Sequence, residues 1–166
     1  MSPPPRPIHP APVLLDLSHT SHTQARTGIQ RVTRALLAEL AARGLARPIT
    51  WDPYARRWRA LDHWEQHALT RTAGGHKRGA YWPWHARLRG WLRRATAPHE
   101  KAIVAGTSPG LIVGELFSAT VGQALPSLLA QVAGPRIALF HDAIALKCSE
   151  FLLGRGASVL PMLLFN

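Results

Sequence analysis

The strongest constraint on this chain is a short apolar run, Val13, Leu14, Leu15 and Leu17, that precedes the turn Thr27-Gly28-Ile29-Gln30-Arg31 and the amphipathic segment after it. Apolar side chains on both faces of a strand require cover on both faces, as in the interior of a parallel sheet. Asp16 and Ser18 stand near the C-terminal end of this strand. Beyond the turn, Ile29, Val32, Leu36, Leu37 and Leu40 recur at helical spacing, and Gln30, Arg31, Arg34, Glu39 and Arg43 fall on the other side. Thr27 and Gln30 fit a capping box at the start of this helix, and Gly44 supplies its stop. Free amides and the positive dipole end at such a start attract an anion where the backbone is bare, as Gly28 leaves it. The alternative role of Gly28 is simply to let the loop turn and the helix pack.

The remaining chain continues the alternation. Pro48 to Pro53 reads as a second strand between breakers and completes a first β-α-β unit over residues 12–53. Residues 54–101 interrupt the pattern as an insertion: they hold eleven of the twenty basic residues and five of the six tryptophans. Regular order resumes over residues 102–166, with a strand from Leu111 to Phe117 and a helix around Leu125, Leu128, Leu129 and Val132 closed by Gly134-Pro135. A strand from Arg136 to Phe140 follows. His141-Asp142 then falls just past a strand's carboxyl end, the edge at which open parallel sheets bind ligands. The expected fold is α/β, a Rossmann-like parallel sheet with flanking helices. It forms a single domain over residues 12–166, after a disordered tail (1–11) that holds five prolines.

Composition narrows the partners. Twenty Lys+Arg against nine Asp+Glu give a net charge of +11, which favours nucleotides, nucleic acid or an anionic membrane face. Arg far outnumbers Lys in an Ala-, Leu-, Pro- and Gly-rich chain, so compositional bias accounts for the charge as readily as a basic patch does. The single cysteine, Cys148, excludes an intrachain disulfide and a thiolate-rich zinc site. No secretory signal is evident at the N-terminus, and the longest nearly unbroken apolar run, Ala157 to Phe165, falls far short of the ~20 residues of a spanning helix. His63 and His67 share a helical face, but Glu65 between them is at the wrong offset for a zinc-hydrolase signature, and no third ligand is evident. No metal is therefore expected. Ser108 and Ser118 lack the flanking glycines of a nucleophile elbow.

Within the insertion, Trp84, Leu88, Trp91, Leu92 and Ala95 follow one helical stripe, while Arg87, Arg89, Arg93 and Arg94 occupy other angles. This is the layout of an interfacial helix, with tryptophans at headgroup level and arginines reaching anionic lipid. The competing reading is a surface helix that packs its tryptophans into the core. Nucleic-acid binding would use the same side chains, but no recognised module accompanies them, and nucleic acid is not expected as a partner.

Three pieces in order, Val13-Leu-Leu-Asp-Leu-Ser18, Arg26-Thr-Gly-Ile-Gln-Arg-Val32 and Ala138-Leu-Phe-His-Asp142, resemble the N-terminal, acceptor-side domain of family 4 glycosyltransferases of GT-B architecture. The resemblance covers about residues 12–45 and 111–147. It implies one half of a GT-B fold and transfer of a sugar, with retention, from a nucleotide-sugar donor to a saccharide or lipid-linked acceptor. The nucleotide sugar is then a co-substrate, and no cofactor is required. By the same resemblance, Gly28 and Ile29 would offer amides to the donor diphosphate with Arg31 nearby. His141 would stand beside the transferred sugar and Asp142 would orient it. Trp84, Arg87, Leu88, Trp91, Leu92, Arg93 and Arg94 are the candidate membrane or acceptor surface. The family's two glutamates separated by seven residues do not occur among Glu39, Glu65, Glu100, Glu115 and Glu150. The expectation is thus a truncated enzyme, weak in donor binding and inactive alone, located in the cytoplasm and peripheral on the inner membrane face. The alternative expectation is a non-catalytic basic and aromatic module for an anionic membrane surface or nucleic acid.

Overall fold

The structure, a computed structural model, describes residues 12–71, 79–96, 103, 109–115 and 118–139. Strand β1 (Val13–Asp16) leads through a long loop to helix α1 (Gly28–Ala42) and then to strand β2 (Ala46–Asp52). β2 pairs in parallel with β1, Leu15 opposite Pro48 and Asp16 opposite Ile49, so the first β-α-β unit forms as its sequence predicts. Strand β4 (Gly110–Val113) flanks β1 on its other side, also in parallel, and is followed by helix α4 (Ala119–Leu129) and strand β5 (Arg136–Ala138), parallel to β4.

The insertion between β2 and β4 contributes strand β3 (Arg57–Ala60), helix α2 (His63–Thr70) and helix α3 (Trp84–Thr96). β3 joins the edge of β2 in antiparallel sense, through a tight turn in which Arg56 takes a left-handed φ of 54°. The sheet order is β3-β2-β1-β4-β5. The architecture is therefore α/β and compatible with a Rossmann-like fold, with a mixed rather than wholly parallel sheet: a strand returning through so short a turn can only run antiparallel.

Alternation along β1 explains the layering. Leu14 points to a core shared with Ile49, Trp58, Leu111, Val113 and the α4 residues Val121, Leu125 and Leu128. Leu15 points to the opposite core, with Leu17, Leu61 and the α1 residues Leu36, Leu37 and Leu40. The central strand is covered on both faces, as its unbroken apolar sequence requires.

Helix α1 begins on the predicted capping box, with the Thr27 amide donating to Gln30 Oε1 at 2.8 Å. It ends on Gly44 at φ +69°. There the Gly44 and Leu45 amides return to the Ala41 and Leu40 carbonyls, both at 2.9 Å, the paired bonds of a Schellman motif. Leu36, Leu37 and Leu40 face the core as the apolar spacing predicts, but the first two turns depart from it: Val32 is 49% exposed, whereas Gln30 and Thr33 are buried. Polar bonding accounts for the difference. Thr33 Oγ1 donates to the Gly114 carbonyl at 3.3 Å, and the Gln30 side chain is held in the cap.

The insertion is fastened by a buried ionic seam. Arg59 donates to Asp52 Oδ2 (2.8 Å) and, through both terminal nitrogens, to Glu65 (2.7 and 2.8 Å). Glu65 also meets His22 Nε2 at 2.7 Å, while His22 Nδ1 faces the Ser18 carbonyl at 2.8 Å. Helix α3 lies against this seam through Ala86 and Gly90. A Cβ on Gly90 would come within 2.6 Å of the Tyr54 Cβ, so only glycine permits that approach. Arg93 completes the contact with two bonds to Asp62, at 3.0 and 2.7 Å. No helix among the described residues is long and apolar enough to cross a membrane.

Candidate functional site at the carboxyl edge of the sheet

β1 is the strand from which connections leave in both directions across the sheet, since β2 lies to one side and β4 to the other. At such a switch point the loops after neighbouring strands diverge and leave a crevice at the carboxyl edge. A cleft of about 190 Å³ lies there, lined by Asp16, Ser18, His19, Trp51, Trp82 and Glu115 among others.

Two acids shape this cleft. Asp16, the last residue of β1, accepts from the Ser18 amide (2.9 Å) and hydroxyl (2.6 Å), and the Ser18 oxygen accepts from the Trp51 amide at 2.8 Å. Glu115, two residues beyond β4, accepts from the His19 amide at 2.8 Å and the Thr20 amide at 3.1 Å. Together they hold the loop after β1 against its neighbours on each side. Asp16 is raised to about 7, first by burial and then by the negative charge of Glu115, with the Ser18 bonds opposing. Burial also raises Glu115, against the bonds from Thr20 and His19. His19 is lowered by burial and then by the charge of His22. A carboxyl that titrates near neutrality in a cleft is suited to accept or donate a proton from a bound hydroxyl.

The residues singled out from sequence fall in several places. Gly28 and Ile29 form the first turn of α1, where a Cβ built on Gly28 meets nothing within 4 Å and Arg31 is exposed. None of these three lines the cleft. His141 and Asp142 lie outside the described residues. Trp84, Leu88, Trp91 and Leu92 form an exposed stripe on α3, with the two tryptophans 75% and 59% exposed. They do not pack into the core. Arg87 and Arg94 are exposed beside that stripe, whereas Arg93 is turned inward to Asp62. His63 and His67 share a face of α2, and among the described residues no group of three His, Cys, Asp or Glu is placed to hold a metal ion.

Asp16 and Glu115 were not marked as site residues by sequence reasoning. The available signal was an acid at the end of one apolar strand and another two residues past a second, at the edge where this architecture binds ligands. Comparison of the chain with protein-family models, curated proteins and solved structures finds no match.

Proposed function

We propose that this domain is the acceptor side of a retaining, metal-independent GT-B glycosyltransferase that moves a sugar from a nucleotide donor to a hydroxyl of a saccharide or lipid-linked glycan. The observation that carries this reading is the order β2-β1-β4-β5, all parallel, with the Thr27-Gly28-Ile29-Gln30-Arg31 turn following the central strand. That topology brings the Gly28 turn, the Asp16/Glu115 cleft and the carboxyl end of β5, three residues before His141, to one edge. The cleft offers an acceptor hydroxyl a carboxyl near neutrality and the rings of Trp51 and Trp82 as walls. Donor affinity must come largely from elsewhere: one helix N-terminus contributes about 0.3–1 kcal/mol to an anion, against about 8 kcal/mol for micromolar binding. The test is sugar transfer by this domain joined to a donor-side domain that carries the paired glutamates. His141→Ala should lower turnover far more than donor affinity, because a contact beside the reacting sugar strengthens as charge develops there. Equal turnover in variant and parent would overturn the assignment.

The exposed stripe of α3 favours a second property, docking on an anionic membrane. Trp84, Leu88, Trp91 and Leu92 present an unpartnered apolar face, and the helix carries arginines and no acidic residue. Sedimentation with anionic liposomes should weaken when Trp91→Ala and Leu92→Ala are combined, even in salt that screens the arginines, since buried apolar area is insensitive to ionic strength. Absence of liposome binding refutes the docking. Binding to nucleic acid instead, with a steep salt dependence, assigns the face to phosphate contacts.

A further inference from the structure

A second cavity, of about 630 Å³, lies behind the loop that follows β1. His22 lines it, and Trp82, stacked on His22 at 4.0 Å between ring centres, lines the smaller cleft, so these rings stand between the two. Arg26, Arg34 and Arg71 line the larger cavity together with His63 and His67, and none of its described lining residues is acidic. His63, His67 and Arg71 come from successive turns at one side of α2 and its C-terminus, while Arg26 and Arg34 come from the approach to α1 and its second turn.

The state of Arg34 shows what this cavity lacks. Its Nη2 reaches only the Thr20 carbonyl, at 3.5 Å, and its Nε and Nη1 are buried with no hydrogen-bond partner. The indole Nε1 of Trp64, another lining residue, is likewise buried without a partner. Unmet donors of this kind are costly, a guanidinium most of all. Burial and the neighbouring Arg26 charge push Arg34 below the ordinary arginine value, with Glu115 opposing. The acceptors that Arg26 and Arg34 do meet are neutral carbonyls, those of Arg71 and Thr20; an anion supplies the charged acceptor that the lining lacks, and planar guanidinium groups match phosphate oxygens in particular.

We propose that this cavity binds a small phosphate-bearing ligand, its phosphate or diphosphate held by Arg34 and Arg26. Its volume exceeds that of a phosphate group and suits a small organic ligand. Trp64 and Tyr81 supply aromatic surface for the rest of such a molecule. The inference does not rest on the glycosyltransferase reading, which puts donor phosphates at Gly28, Ile29 and Arg31; none of those lines this cavity.

Inorganic pyrophosphate titrated into the 166-residue chain, followed by calorimetry and by the Trp64 indole N–H resonance, tests the site. Saturable binding with a shift of that resonance is expected, weakened about tenfold or more in Arg34→Gln and in Arg26→Gln and unchanged in Arg43→Gln, an exposed arginine at the far end of α1. Arg26 is exposed, so Arg26→Gln gives the answer even where Arg34→Gln fails to fold. No saturable binding, or equal affinity in Arg26→Gln and the parent, would overturn the proposal. Loss confined to Arg31→Gln would also overturn it and would assign the phosphate to the α1 turn.

Discussion

Asp16 and Glu65 are both almost wholly removed from solvent, 1% and 0% exposed, yet their surroundings drive them in opposite directions. At the carboxyl edge, Asp16 has hydroxyl and amide donors but no cation bonded to it, and burial together with Glu115 raises it to about 7. In the seam under the insertion, burial also raises Glu65, but the bonds from His22 and Arg59 and the Arg59 charge outweigh it, leaving Glu65 below its ordinary value. Burial alone thus does not set the charge of an acid; the partner does. The seam is built to hold charge fixed, whereas the edge leaves a proton free to move, and that difference separates a fastening from a candidate site.

The largest effect is expected from the seam. Glu65→Leu removes one partner and leaves Arg59 and His22 facing an apolar group in a buried setting, which should cost about 3–5 kcal/mol of stability. Urea denaturation checks this; a loss within experimental error would show that the seam is not a fastening. Replacing Arg59 together with Glu65 should not recover that cost, because the buried Asp52 carboxylate then loses its Arg59 partner at 2.8 Å.

A somewhat smaller effect, opposite in sign with pH, is expected at the edge. Asp16 binds its proton more tightly folded than unfolded, so its contribution is complete below its ordinary value of 3.8 and is lost as the pH rises through about 7. The parent should therefore lose up to about 4 kcal/mol relative to Asp16→Asn between pH 4 and pH 7. Glu65 behaves in the reverse way, its contribution present above its ordinary 4.5 and lost on acidification below it. Parallel stability profiles of parent and Asp16→Asn across that window would erase the contrast between the two regions.

Much of the framework was legible because it depends on neighbours along the chain. The capping box at Thr27 and Gln30 and the left-handed stop at Gly44 are local, and each forms where the residue pattern puts it. The β-α-β unit follows from an apolar strand, an amphipathic helix and a second strand in that order. The inward face of α1 was legible at Leu36, Leu37 and Leu40 but not in the first two turns, where apolar spacing put Val32 inward while hydrogen bonds to distant or capping groups hold Thr33 and Gln30 there. On α3 the same spacing grouped Trp84, Leu88, Trp91 and Leu92 on one face but could not say which way it turns. The close approach of Gly90 to Tyr54 turns it outward.

The sequence by itself determined the α/β alternation, the central buried strand and the placement of a glycine turn after it, since these follow from hydrophobic period, caps and turn residues within short windows. Only the tertiary structure decided which charges meet. His22 finds Glu65 across 43 residues, and the His19 amide finds Glu115 across 96. Such pairs leave no periodic signature, because each depends on where separate elements dock rather than on spacing within one. Arg34 illustrates the same limit: as a residue it is one of many arginines, and only the packing of α1 beside α2 leaves its guanidinium lining a cavity with donors unmet.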